Sequence, residues 1–103
     1  MLVSRTAEKL QAAAKEIEAT YKVDTKVLAV DFSTLNEGSL SSIQKLLESL
    51  DVGILINNVG LSYSHAEYLD AIDDKLIDDL VEVNIVAATK VLPPTLLCML
   101  SGN

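Results

Sequence analysis

The predicted fold of this chain depends on one segment, Asp51-Val52-Gly53-Ile54-Leu55-Ile56-Asn57-Asn58-Val59-Gly60. Its apolar run at 54–56 is typical of a parallel strand that is buried on both faces. The run stops at two asparagines and a glycine, and ligands of open parallel sheets bind just beyond the carboxyl ends of the strands. A glycine there lets the backbone approach a flat ligand closely, and buried asparagines need a full set of hydrogen-bond partners. The pattern predicts a ligand site at 57–60; the alternative is an Asn-Gly type of turn, but the segment leads into a helix and not a hairpin.

The rest of the chain alternates between short apolar runs and amphipathic stretches. Residues 1–3 are predicted to end a strand, and residues 26–31 to form a second one. Apolar residues recur at helical spacing in three regions, 6–21, 40–50 and 73–92. The order strand, helix, strand, helix, strand, helix predicts an α/β fold with a doubly wound parallel sheet.

The last predicted helix, 73–92, is expected to end at Pro93-Pro94, because proline lacks an amide donor and clashes with the preceding turn. The apolar stretch from 85 to 100 is interrupted by Lys90 and by the same two prolines. The sequence therefore does not predict a membrane-spanning helix.

Composition limits the class of protein further. The 103 residues suffice for one small domain, and 15 acidic residues against 8 basic ones give a net charge of −7. That charge disfavours nucleic acid and anionic membrane surfaces as partners. The single cysteine, Cys98, excludes an internal disulfide and is expected to be a buried or interfacial thiol, and the single histidine, His65, predicts no metal site.

Polar residues also follow the first two predicted strands. Ser4 and Arg5 come directly after the first strand, and an arginine there suits the 2′-phosphate of NADPH, whereas an acidic residue would suit NADH. A solvated surface arginine is the alternative explanation of Arg5. Asp31 and Phe32 end the second strand, where an aspartate is also a common turn or helix cap.

Asn84 is the polar residue of the long helix that stands out. Asparagine is unfavourable inside helices because its side chain competes for backbone hydrogen bonds. Asn84 has apolar neighbours in the sequence, so it is expected to face a polar group inside the protein. A buried hydrogen bond between helix and sheet, with no part in catalysis, is the alternative.

The segment 57–60 resembles the Asn-Asn-Ala-Gly motif of the short-chain dehydrogenases/reductases, with Val59 in place of alanine. Together with Gly53, it is similar to the very-long-chain 3-oxoacyl-CoA reductases and the related steroid 17-beta-dehydrogenases. The resemblance implies that Asn57, Asn58, Val59 and Gly60 line the ribose and nicotinamide side of the cofactor, with NADPH expected from Arg5.

The same resemblance assigns two further roles. It implies that Asp31 binds the adenine amino group with the help of the Phe32 backbone. It also implies that Asn84 is catalytic: it bends its helix, and its main chain holds a water in the proton relay to the catalytic lysine.

The resemblance covers residues 2–92 and less than half of the family's domain. The family's glycine-rich phosphate loop would precede Met1 and its catalytic Tyr-x-x-x-Lys would follow Asn103, and no tyrosine here is followed by lysine four residues on. We therefore expect residues 1–103 to form one partial dinucleotide-binding domain, inactive alone. The parent enzyme is expected to act in fatty-acid elongation at the endoplasmic reticulum membrane, with an acyl-CoA or steroid substrate.

Two alternatives stay open at the level of sequence. One is a non-catalytic module that pairs with a full-length subunit, or with its own copy, through the 73–92 helix. The other is a different nucleotide-binding α/β domain. For the sheet, we expect a three-stranded remnant in which the strand at 54–56 pairs beside the first one, because its usual neighbour in the family would precede Met1.

Overall fold

The computed structural model describes residues 1–102. They form two compact units, of which the first covers residues 1–32 and the second begins at Ser33. The helices and strands, in chain order, are β1 (Leu2–Ser4), α1 (Ala7–Tyr21), β2 (Val27–Ala29), α2 (Glu37–Glu48), α3 (Asp74–Val81), a π-helical segment (Glu82–Ala87) and α4 (Ala88–Ser101). Single 3-10 turns lie at Phe32–Thr34 and Leu69–Ala71.

The first unit is a strand–helix–strand motif. Strands β1 and β2 are parallel, with Ser4 opposite Ala29, and the Val30 amide extends the ladder by donating to the Ser4 carbonyl at 2.9 Å. Helix α1 lies within the predicted region 6–21 and begins after Thr6, whose side chain makes no cap bond. The helix buries Leu10 and contacts both strands, so this unit has the predicted α/β class.

The second unit is helical. Helix α2 is capped by Asn36, whose side-chain oxygen accepts the Ser39 amide at 2.9 Å. Helices α2 and α4 contact each other. They bury one face each, made of Ile43 and Leu47 on α2 and of Val91, Thr95 and Cys98 on α4.

The strand predicted at 54–56 does not form, and the expected three-stranded order is wrong. In the described part of the chain the sheet has two strands, β1 and β2. Ile54 and Ile56 are 81% and 79% exposed and lie in irregular backbone. A strand is stabilised by ladder hydrogen bonds with a neighbour, and an apolar run without one has no reason to stay regular.

The prediction that Pro93-Pro94 ends the long helix is also wrong, since both prolines lie inside α4. Two carbonyls lose their helical amide partners, those of Thr89 and Lys90, and both residues are exposed to water. The buried face of α4 continues on the other side of the prolines, and its burial offsets the cost of the lost bonds.

As a result, residues 74–101 form one continuous helix of 28 residues. Its most apolar window has a mean hydropathy of 1.6, so the helix is long and apolar enough to cross a membrane by length and composition alone, which does not overturn the expectation of no spanning helix. The core helix of a soluble protein passes the same test.

Candidate functional site

The side chain of Asn84 is joined to the backbone of Leu61 by two hydrogen bonds. The Leu61 amide donates to Asn84 Oδ1 at 2.9 Å, and Asn84 Nδ2 donates to the Leu61 carbonyl at 2.8 Å. The primary amide thus pairs with both polar groups of one residue, as a neighbouring strand would. This pair of bonds, the Asn84–Leu61 clamp, attaches the chain directly after 57–60 to the long helix.

The helix is distorted where it carries Asn84. Residues Glu82–Ala87 are π-helical, and the Ala88 amide donates to the Ile85 carbonyl. In an α-helix that amide would bond the carbonyl of Asn84, four residues back. π-Helical turns inside α-helices are frequent at functional sites. The catalytic role that the resemblance implies for Asn84 stays a prediction.

Asn84 does not face the protein interior as expected, because it is exposed. Its exposure does not leave it unpaired, since both ends of its amide are bonded in the clamp. The sequence pattern identified a polar side chain that needed a partner, but the partner is the backbone of Leu61 and lies at the surface.

The four residues at 57–60 are irregular and exposed. Asn57 and Asn58 are therefore not the buried pair that the sequence suggested. A β-carbon added to Gly60 would lie 3.4 Å from Asn84 Oδ1, and the φ angle of Gly60 is not in the left-handed region. That distance is ordinary van der Waals contact, so Gly60 lies against the clamp, but neither its surroundings nor its φ angle requires a glycine there.

The other four predicted cofactor residues lie together in the first unit. Ser4 ends β1 and is followed by the exposed Arg5. The half-buried Asp31 and Phe32 follow β2 after Val30, whose amide bonds the Ser4 carbonyl. The ends of two parallel strands thus place Arg5 and Asp31 at the same carboxyl edge, where ligands of such sheets bind.

Two further residues were singled out in the sequence, and of these Cys98 is buried, in agreement with one of its two predicted placements. His65 is exposed and its ring lies 2.9 Å from the Ser64 hydroxyl and 3.3 Å from Glu67. No cluster of three metal-ligating side chains occurs among residues 1–102. Cys98 is buried, and its thiol donates to the Leu47 carbonyl at 3.3 Å.

Known proteins similar to this chain were found in sequence and in structure. A family model described as short chain dehydrogenase matches residues 1–103. Very-long-chain 3-oxoacyl-CoA reductase-A of Danio rerio is 47% identical over 89 residues, which are 84% of this chain and 27% of that protein. Inactive hydroxysteroid dehydrogenase-like protein 1 of Homo sapiens is 44% identical over 89 residues, 86% of this chain and 27% of that protein. The chain thus spans about a quarter of the length of these relatives.

Two solved structures share the fold. One is the bulky-bulky ketone specific alcohol dehydrogenase from Comamonas testosteroni, with a TM-score of 0.74, 26% identity and coverage of 90% of this chain and 36% of that one. The other is a 7beta-hydroxysteroid dehydrogenase, with a TM-score of 0.66, 26% identity and coverage of 96% and 38%. These similarities confirm a partial doubly wound α/β fold.

Proposed function

Because the chain belongs to the short chain dehydrogenase family, we propose that it forms part of an NADPH-dependent reductase that reduces the 3-keto group of very-long-chain acyl-CoA. The observation that carries the proposal is the Asn84–Leu61 clamp, which fixes the segment after 57–60 against a π-helical turn. The relative from Danio rerio, named for this reduction, supports the choice of substrate at 47% identity.

The residues at the carboxyl edge of the first unit fit a dinucleotide phosphate. Arg5 presents an exposed guanidinium beside the end of a parallel strand, and this group pairs with phosphate in a bidentate way. No acidic residue directly follows β1, so the position favours NADPH over NADH. Bound there, NADPH would supply the hydride for the ketone.

Asn84 would contribute through its main chain. Its carbonyl does not accept the Ala88 amide, which donates to Ile85. A carbonyl that its α-helical donor does not occupy is suited to accept a hydrogen bond from water. In the proposed reductase, that water would belong to the relay that returns a proton to the active site, and the clamp would keep the carbonyl in place.

The proposal is tested first by sequencing the transcript on both sides of this frame. A glycine-rich strand–helix turn upstream and Tyr-x-x-x-Lys downstream are expected. The complete protein should then oxidise NADPH in the presence of a very-long-chain 3-oxoacyl-CoA. NADH and a steroid ketone are the two comparisons, and faster turnover of the steroid would reassign the substrate. A complete protein that contains Tyr-x-x-x-Lys but turns over neither ketone would refute the reductase.

A second candidate function is a non-catalytic subunit, because a relative named inactive is 44% identical over the same number of residues. The long helix also has an exposed apolar surface, which includes Val81, Ile85, Leu92 and Leu96. Such a surface suits pairing with a full-length subunit or with a second copy. A complete transcript without Tyr-x-x-x-Lys, whose product co-elutes with an active reductase, would favour this function.

We further propose that the parent protein acts in fatty-acid elongation and resides at the endoplasmic reticulum membrane. The apolar helix at 74–101 is compatible with membrane association by length and composition. Fractionation of cells that express the complete protein tests the location. Release of the protein by an alkaline carbonate wash would argue against membrane insertion.

A further inference from the structure

The carbonyl of Ile85 accepts two hydrogen bonds. One comes from the Ala88 amide, three residues on, and the other from the hydroxyl of Thr89 at 2.8 Å. A serine or threonine hydroxyl that bonds the carbonyl four residues back often bends a helix. Here the doubly bonded carbonyl lies inside the π-helical segment, one residue after Asn84.

The position of Thr89 argues that this bond has a local purpose. Thr89 is exposed, so its side chain is not needed for core packing. It lies directly after the return from π-helical to α-helical geometry at Ala88. Both bonds hold the Ile85 carbonyl, and with the Ala88 amide engaged there, the Asn84 carbonyl does not receive its usual α-helical donor.

We propose that Thr89 is a positioning residue: its hydroxyl fixes the π-helical turn, and the turn aims the Asn84 side-chain amide at Leu61 and keeps the Ala88 amide off the Asn84 carbonyl. Without the hydroxyl, the Ile85 carbonyl is held by one bond instead of two, and the turn can relax so that the Ala88 amide donates to the Asn84 carbonyl as in an α-helix. That change would rotate Asn84 about the helix axis and weaken the Asn84–Leu61 clamp.

Thr95 provides a matched control on the same helix. Its hydroxyl makes the same type of bond, to the Val91 carbonyl at 2.9 Å, but within regular α-helix and at a buried position. Thr89→Val and Thr95→Val each replace a hydroxyl by a methyl group of similar size. Thr89→Ser keeps the hydroxyl at the site and serves as the rescue variant.

The test uses NMR on the full chain and its three variants. It measures the hydrogen-exchange rate of the Leu61 amide proton and the chemical shifts of the Asn84 side-chain amide protons. In Thr89→Val, exchange of the Leu61 amide proton should rise about fivefold, as expected for loss of one hydrogen bond. Thr89→Ser and Thr95→Val should stay close to the parent chain. The Asn84 side-chain signals should move toward free-amide positions in Thr89→Val alone, while far-ultraviolet circular dichroism stays the same.

Three results would overturn the proposal. The first is an unchanged exchange rate of the Leu61 amide proton in Thr89→Val. The second is an equal rise of that rate in Thr95→Val. The third is a Leu61 amide proton that is not protected from exchange in the parent chain. If Thr89→Val loses helical signal, Thr89→Ala replaces it, because alanine favours the helix while lacking the hydroxyl.

The catalytic consequence rests on the proposed function and is measured separately. In the complete reductase, Thr89→Val should lower kcat about tenfold at unchanged KM for the ketone, with Thr89→Ser restoring it, because positioning acts on the transition state. If Thr89→Val leaves kcat unchanged but raises exchange of the Leu61 amide proton, Thr89 positions Asn84 without affecting catalysis. Absence of turnover in the unmodified protein would refute the proposed function and not the role of Thr89 in the clamp.

Discussion

Replacing Asn84 with alanine removes both hydrogen bonds of the Asn84–Leu61 clamp, at 2.9 and 2.8 Å. A neutral hydrogen bond contributes about 0.5–1.5 kcal/mol to stability, and water can replace it here because the pair lies at the surface. Alanine is the better helix former by up to about 0.7 kcal/mol, which offsets part of the loss. The net change in the free energy of holding the segment should be about 1–2 kcal/mol, or roughly 5–30-fold in its opening equilibrium.

Limited proteolysis with chymotrypsin measures this opening, because the enzyme cleaves after aromatic residues. Tyr63 lies two residues beyond Leu61 and reports on the released segment. Tyr21 ends α1 in the first unit, is 71% exposed and serves as the internal reference. In Asn84→Ala, initial cleavage after Tyr63 should rise about 5–30-fold relative to cleavage after Tyr21.

A second substitution separates the two bonds. Asn84→Asp keeps an oxygen that accepts the Leu61 amide but replaces the donor by an oxygen that faces the Leu61 carbonyl. Its cleavage ratio should lie between that of the parent and that of Asn84→Ala, or match the latter if the two oxygens repel. The same ratio in the parent and in Asn84→Ala would refute the clamp as the attachment of this segment.

Three other outcomes test the structure and the proposed cofactor. The thiol of Cys98, which is 7% exposed, should react with a bulky disulfide reagent about 100-fold more slowly in native buffer than in denaturant, and equal rates would contradict its burial. Ile54→Ala should change the urea-unfolding free energy by less than about 0.5 kcal/mol, whereas Ile43→Ala, at a site 2% exposed, should cost about 2–5 kcal/mol; similar losses would restore a buried strand at 54–56. In the complete reductase, Arg5→Ala should weaken the binding of NADPH by about 1.5–3 kcal/mol and change the binding of NADH little. Equal losses of binding free energy for both cofactors in titrations would exclude a contact between Arg5 and the phosphate.

The elements that the sequence predicted well are those with local causes. Helix α1 lies within 6–21, β2 lies within 26–31, and β1 overlaps the predicted run 1–3 and extends to Ser4, because apolar periodicity acts within a few residues. The strand at 54–56 failed because a strand draws its stability from a neighbour, which an apolar run does not reveal. Asn84 was identified from its unusual position, but its partner, the Leu61 backbone, leaves no side-chain signal in the sequence.

The continuation of the long helix past Pro93 shows how tertiary contacts override a local rule and what this means for the site. The helix carries the π-helical turn with Asn84 in its middle and the buried face of α4 toward its end. Cys98 lies on that face and bonds the Leu47 carbonyl of α2. The turn that holds Leu61 is therefore anchored by packing more than three helical turns away, since a helix ending at Pro93 would lack the contact at Cys98. Loss of the α2–α4 packing should consequently loosen the clamp as well, although no residue of α2 takes part in it.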